Sequence, residues 1–180
     1  MAPLPSFRLL ILACSATKRG RPEHIPAIER YDGPLWRTLR AADPHGEKAK
    51  VAFLSAHLGF RAANTPIEMY DARMTEPMAA AMEAGDLGTR WPRPTTQRRV
   101  MPSGEHPGMH IYSLCGGAEK RVFLDVALVG GRLYLDVMQY LVGLFRSGGY
   151  VAAGVRITEI NGPVGLMRSI ASRLHCRIVK

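Results

Sequence analysis

Leu9-Leu10-Ile11-Leu12-Ala13 runs without a polar interruption and stops on Cys14-Ser15-Ala16-Thr17-Lys18. Val51-Ala52-Phe53-Leu54 does the same and stops on Ser55-Ala56-His57-Leu58-Gly59. Short continuous apolar runs closed by small polar residues read as strands, and their lack of alternation predicts burial on both faces, as in a parallel sheet. In open α/β sheets the ligand crevice lies outside the carboxyl ends of such strands. Ser15, Lys18, Ser55 and His57 are therefore candidates for one shared site, although they are far apart in the chain.

The flanking segments alternate between strand and helix patterns. Phe7 to Ala13 and Val51 to Ser55 are the first two strands. Asp32-Gly33-Pro34 reads as a helix entry with Pro34 in the first turn and Leu35, Leu39 and Ala42 on its apolar side. Thr75 to Glu83 reads as a helix that stops near Gly85, with Met78 and Met82 four apart. Met109 to Leu114 and Val122 to Val129 are expected as strands. Gly130-Gly131 opens a helix whose Leu133, Val137, Met138, Leu141, Leu144 and Phe145 share a face. Arg156 to Glu159 is expected as a strand, Gly162-Pro163 as the start of a last helix, and Cys176 to Val179 as a closing strand. Alternating elements of this kind predict an α/β fold, a single domain over residues 1–180 with a largely parallel sheet flanked by helices.

The 180 residues carry 24 Lys and Arg against 15 acids, a net charge of +9. A surplus of that size favours a polyanionic partner, so DNA or RNA, or a nucleotide, is the expected ligand class. Three cysteines without disulfide or metal-ligand spacing fit a reducing cytoplasm. No apolar stretch reaches membrane-spanning length, so no membrane partner is expected. Neither a Walker lysine motif nor Gly-x-Gly-x-x-Gly, His-Glu-x-x-His or a zinc-spaced cysteine pair occurs, and no metal or cofactor is expected. Residues 86–108 form an Arg-, Pro- and Gly-rich insertion without periodicity. There Arg90, Arg93, Arg98 and Arg99 surround Trp91, a composition suited to a nucleic-acid backbone and a base to stack on, or equally to a solvated loop.

Ser15-Ala16-Thr17-Lys18 has the Ser-x-x-Lys spacing of penicillin-recognising enzymes, but Arg19-Gly20-Arg21-Pro22 does not continue a helix, so anion binding through Ser15 and Lys18 is the better reading. His57, just past a strand end, is placed to titrate or donate to a ligand. Tyr31-Asp32 and Tyr70-Asp71 each precede an expected helix. The tyrosines suit base packing, and Asp71 and Asp32 suit acid, base or water-positioning roles near an oxocarbenium-like centre. Both aspartates equally suit helix capping. Gly130 and Gly131 let a ligand approach the backbone and helix amides.

The ordered set Ala13-Cys14-Ser15-x-x-Lys18, Tyr31-Asp32-Gly33-Pro34-Leu35-Trp36, Leu54-Ser55-Ala56-His57-Leu58-Gly59 and Pro66-Ile67-Glu68-Met69-Tyr70-Asp71-x-Arg73-Met74 resembles a family of small phage and bacterial proteins of unknown function. More distantly it is similar to the YaaA peroxide-stress DNA-binding proteins and to the glycosylase-like domain of archaeosine synthase. The likeness covers roughly the first 75 residues, and departs where Leu58 stands in place of the usual aromatic. It implies a nucleic-acid or nucleobase context and a glycosylase-like fold, with Cys14 and Arg73 joining the substrate-binding set. The expected function is action on a nucleobase or its N-glycosidic bond. A DNA-binding protein without turnover and a hydrolase or transferase of free nucleotides remain the alternatives.

Overall fold

The two apolar runs pair with each other. In the computed structural model, which describes residues 7–94 and 104–161, β1 (Arg8–Ala13) lies parallel to β3 (Lys50–Ser55), Leu10 opposite Val51 and Ala13 opposite Leu54. On its other side β1 pairs in parallel with β6 (Phe123–Val129), and β6 pairs in parallel with β7 (Val151–Ile160). A short antiparallel strand, β4 (Gly59–Ala62), completes a five-stranded sheet in the order β4-β3-β1-β6-β7. The chain is thus an α/β domain with a mostly parallel sheet.

Burial on both faces follows from the helices. Leu9 and Ile11 of β1 pack under α3 (Glu76–Glu83), α4 (Pro107–Leu114) and α5 (Arg132–Ser147) with Ala79, Ile111, Leu135 and Met138. Leu10 and Leu12 point the other way, into a second core with Ala27 of α1 (Ala27–Arg30) and Trp36 and Leu39 of α2 (Pro34–Ala42). An uninterrupted apolar run suits this environment, because both faces of the strand are buried. Asp125 of β6 is paired across strands, between Arg8 of β1 and Arg156 of β7. Arg8 sits opposite Asp125 and donates to it at 2.9 Å, with both side chains buried.

Several boundaries differ from the sequence pattern. Met109 to Leu114 is helical and belongs to α4. His106 caps that helix by accepting from the Met109 amide, and Pro107 occupies its first turn, a start signal that outweighs a short apolar run. β7 is longer than the expected Arg156–Glu159. β4 was hidden by its brevity: Gly59 adopts φ 70°, which lets the chain reverse after Ser55 and pair Ser55 with Gly59. The expected last helix and closing strand lie outside the described residues.

Before α1 the chain makes a two-residue antiparallel ribbon, β2 (Ile25–Pro26) with β5 (Pro66–Ile67). Arg30, at the end of α1, has no exposed surface, and its guanidinium donates to the carbonyls of Arg19, Pro22, Glu23 and Ile67. On the far side of the sheet, His110 Nδ1 accepts from the Ala62 amide at 3.2 Å, and its Nε2 contacts Glu105 at 2.5 Å. A proton on Nδ1 would oppose the Ala62 N–H, and burial lowers the pKa of His110 from the ordinary 6.5. The unfolded chain takes this proton first, so the contribution to stability is complete at neutral pH and is lost as pH falls below 6.5 through the lowered folded value. Urea denaturation from neutral pH to about pH 5 is expected to show this loss, and His110→Asn, which removes the titratable ring, is expected to flatten it.

Candidate functional site

Parallel pairing places the carboxyl ends of β1, β3 and β6 on one edge. Cys14 follows β1, and its amide donates to the Leu54 carbonyl at 2.9 Å. Ser55 ends β3, and Gly130-Gly131 follows β6, with Gly131 as the N-cap of α5. Two loops from elsewhere complete the edge. Residues 14–24 carry Lys18, whose backbone bridges to Tyr31, and the segment between β5 and α3 carries Tyr70.

Tyr70 is the hub. Ser55 Oγ accepts from the amides of His57 and Leu58, both at 3.1 Å, and donates its proton to Tyr70 Oη at 2.9 Å. Tyr70 Oη also hydrogen-bonds the hydroxyl of the fully buried Tyr31. Lys18 Nζ stands 4.3 Å from the Tyr70 ring centroid, and the exposed His57 ring stacks on Tyr70 at 5.0 Å. Cys14 Sγ lies 3.4 Å from the hydroxyl of Tyr134, a residue in the first turn of α5.

Electrostatics follow from this packing. Burial pushes the Tyr31 and Tyr70 phenols well above their ordinary range, so both stay protonated and act as neutral hydrogen-bonding groups. Burial also lowers the Lys18 ammonium, against which Cys14 and Asp71 pull the other way. Asp71 is thereby placed in the field of Lys18, on the exposed stretch that also carries Arg73.

The remaining sequence candidates divide. Ser15 packs against the start of α2, where a Cβ on Gly33 would fall 2.3 Å from its Oγ. Gly130 allows close passage of the chain beside β1, since an added Cβ would meet Ala13 Cβ at 2.9 Å, whereas Gly131 faces open space. Neither aspartate is a helix cap: Thr75 caps α3, accepting from the Met78 amide, and Gly33 is the N-cap of α2. Asp32 is instead ringed by arginines. A hydrogen bond from Arg37, together with the charges of Arg37, Arg19 and Arg40, lowers its carboxyl pKa.

In the insertion, Trp91 is an anchor. Its indole N–H donates to the Ala56 carbonyl at 2.8 Å, and its ring lies so close to Gly59 that a Cβ there would meet it at 2.8 Å. Arg90 and Arg93 donate to the carbonyls of Gly104 and Ala81. Arg98 and Arg99 lie outside the described residues. A separate cavity of about 380 Å³ opens at the amino-terminal edge between Phe7, Val51, Ala63 and Leu114, where two lining charges, Glu119 and Arg121, pair with each other.

Sequence reasoning missed Tyr134, although its position in the first turn of a helix entered through Gly-Gly at a strand end was the available signal. It also missed Arg30, which nothing in its local sequence distinguishes. Comparison of the chain with protein families, curated proteins and solved structures gives no match.

The hydroxyl chain carries a testable cost. Tyr70→Phe leaves the Ser55 and Tyr31 hydroxyls without their shared partner and is expected to destabilise the fold by about 1–3 kcal/mol. Because Tyr31 then has nothing to lose, Tyr31→Phe/Tyr70→Phe is expected to cost less than the sum of the two single variants in urea denaturation.

Proposed function

We propose that this chain binds nucleic acid, or a nucleotide, in the crevice at the strand carboxyl ends and acts on the base or its N-glycosidic bond. The observation that supports this reading best is the convergence of Lys18, Tyr31 and the Ser55–His57 turn, three separate segments of the chain, on Tyr70. Lys18 supplies a positive charge for a phosphate. Tyr31 is fully buried and Tyr70 is already in contact with His57 and Lys18, so neither ring is the free surface for a base. The exposed His57 ring, backed by Tyr70, is the stacking platform instead.

In N-glycosidic hydrolysis the C–N bond breaks to give a cationic sugar that a carboxylate stabilises, water forms the new C–O bond at the anomeric carbon, and its proton ends on the departing base. Asp71, exposed and adjacent to Tyr70 in the chain, is the carboxylate for this role. Asp32 is engaged by three arginines and is not assigned to it. A base inside a duplex must first be extruded to reach such a crevice, and the rim around it must hold the strand.

Mass spectrometry of bases and nucleosides released from genomic DNA, tRNA and modified phage DNA tests this reading. The expected result is one freed base, with release lowered by about 100-fold or more in Asp71→Asn. Binding to these polymers with no product from any of them would instead assign the crevice to recognition without turnover.

A further inference from the structure

Asp32 organises a cluster that no catalytic role accounts for. Its carboxylate accepts from Arg40 Nη2 at 2.6 Å and from Arg37 Nη2 at 3.0 Å, and Arg19 Nε lies 3.5 Å away. Three guanidiniums therefore share one carboxylate. Arg40 is spent, because its Nη1 also donates to the carbonyls of Ile28 and Tyr31 at 2.6 and 2.7 Å. Arg19 and Arg37 are not. Their side chains are 50% and 63% exposed, and each turns one part of its fork to Asp32. A guanidinium has five donors in a rigid plane, so holding one edge also orients the other.

The place of this pair matters as much as its chemistry. Arg19 follows Lys18, whose Nζ lies over Tyr70, and Asp32 follows Tyr31, whose hydroxyl meets Tyr70. Lys18 and Tyr31 are themselves joined by a backbone bridge. Arg19 and Asp32 thus stand one residue beyond that bridge, one on each strand, and Arg37 reaches Asp32 from α2. The exposed residues around them are Ala16, Thr17, Gly20 and Pro34, without a large apolar side chain to enter a lipid surface.

We propose that Arg19 and Arg37, aligned by Asp32, form a phosphodiester subsite that holds the nucleic-acid strand leading into the crevice. The inference rests on the functional reading above and sharpens it: the ligand is a polymer, and its backbone is gripped by this rim. Among the described arginines of the 86–108 insertion, Arg90 and Arg93 each give one donor to a backbone carbonyl.

The test is fluorescence anisotropy of a labelled single-stranded oligonucleotide titrated with the whole protein over a range of salt. Arg19→Gln/Arg37→Gln is compared with Arg121→Gln/Arg146→Gln, which removes the same charge elsewhere, after circular dichroism confirms that both variants fold. Two lost phosphate contacts are expected to reduce the log–log salt slope by about 1.4, and the control pair is expected to change it less. Asp32→Asn gives an opposite-sign check. It raises the net charge, so tighter binding would indicate general electrostatics, whereas loss of alignment is expected to weaken binding. Equal behaviour of the two double variants, tighter binding by Asp32→Asn, or equal affinity for anionic phospholipid vesicles at matched phosphate would each overturn the subsite. Absence of oligonucleotide binding by the wild-type protein would overturn the polymer ligand and the subsite with it, whereas the functional reading beneath falls only if free nucleotides are not bound either.

Discussion

The Arg30 guanidinium donates to the carbonyls of Arg19, Pro22 and Glu23 on one side and of Ile67 on the other, and it does so without any exposed surface. A cation removed from water carries a desolvation penalty of several kcal/mol unless dipoles replace its hydration. Here backbone carbonyls from two loops do so, and the two loops are thereby held to each other. Arg19 adjoins Lys18, and Ile67 stands three residues before Tyr70. The contact between Lys18 and the Tyr70 ring, and the hydroxyl chain running on to Ser55, therefore depend on a group that belongs to neither.

The sheet was legible because burial on both faces leaves a direct mark on composition. Leu9 to Ala13 and Val51 to Leu54 need no polar face, and so they show none. The convergence of Lys18, Ser55 and His57 followed from the same pattern, since parallel strands deliver their carboxyl ends to one edge. Local chemistry misled where a second signal competed with hydrophobic pattern. His106-Pro107 starts a helix that the apolar residues after it disguise as a strand. Partners set by tertiary contact left no mark at all: nothing in Asp32-Gly33-Pro34 reveals the arginines around Asp32, and nothing near Trp91 reveals the carbonyl of Ala56.

Charge that is abundant in a sequence is not equally available on a surface. Arg30 and Arg40 saturate buried or half-buried carbonyls, Arg8 neutralises Asp125, and Arg61 spans the Leu58 carbonyl and Glu105. These residues add to the net charge of +9 while acting as internal fasteners. The difference lies in what a guanidinium already holds, because each donor given to the chain is withdrawn from solvent. A count of basic residues overstates how much positive surface remains.

The hydroxyl chain has an arithmetic of its own. Ser55 Oγ receives two amide protons and passes its single proton to Tyr70. The bridge between Tyr70 and Tyr31 has room for one proton, yet the two phenols bring one each. One phenol proton fills the bridge, and the other is left over and must find an acceptor outside it. The run of hydroxyls therefore holds one hydrogen more than its own bridges can use, a surplus of donors fixed by counting alone.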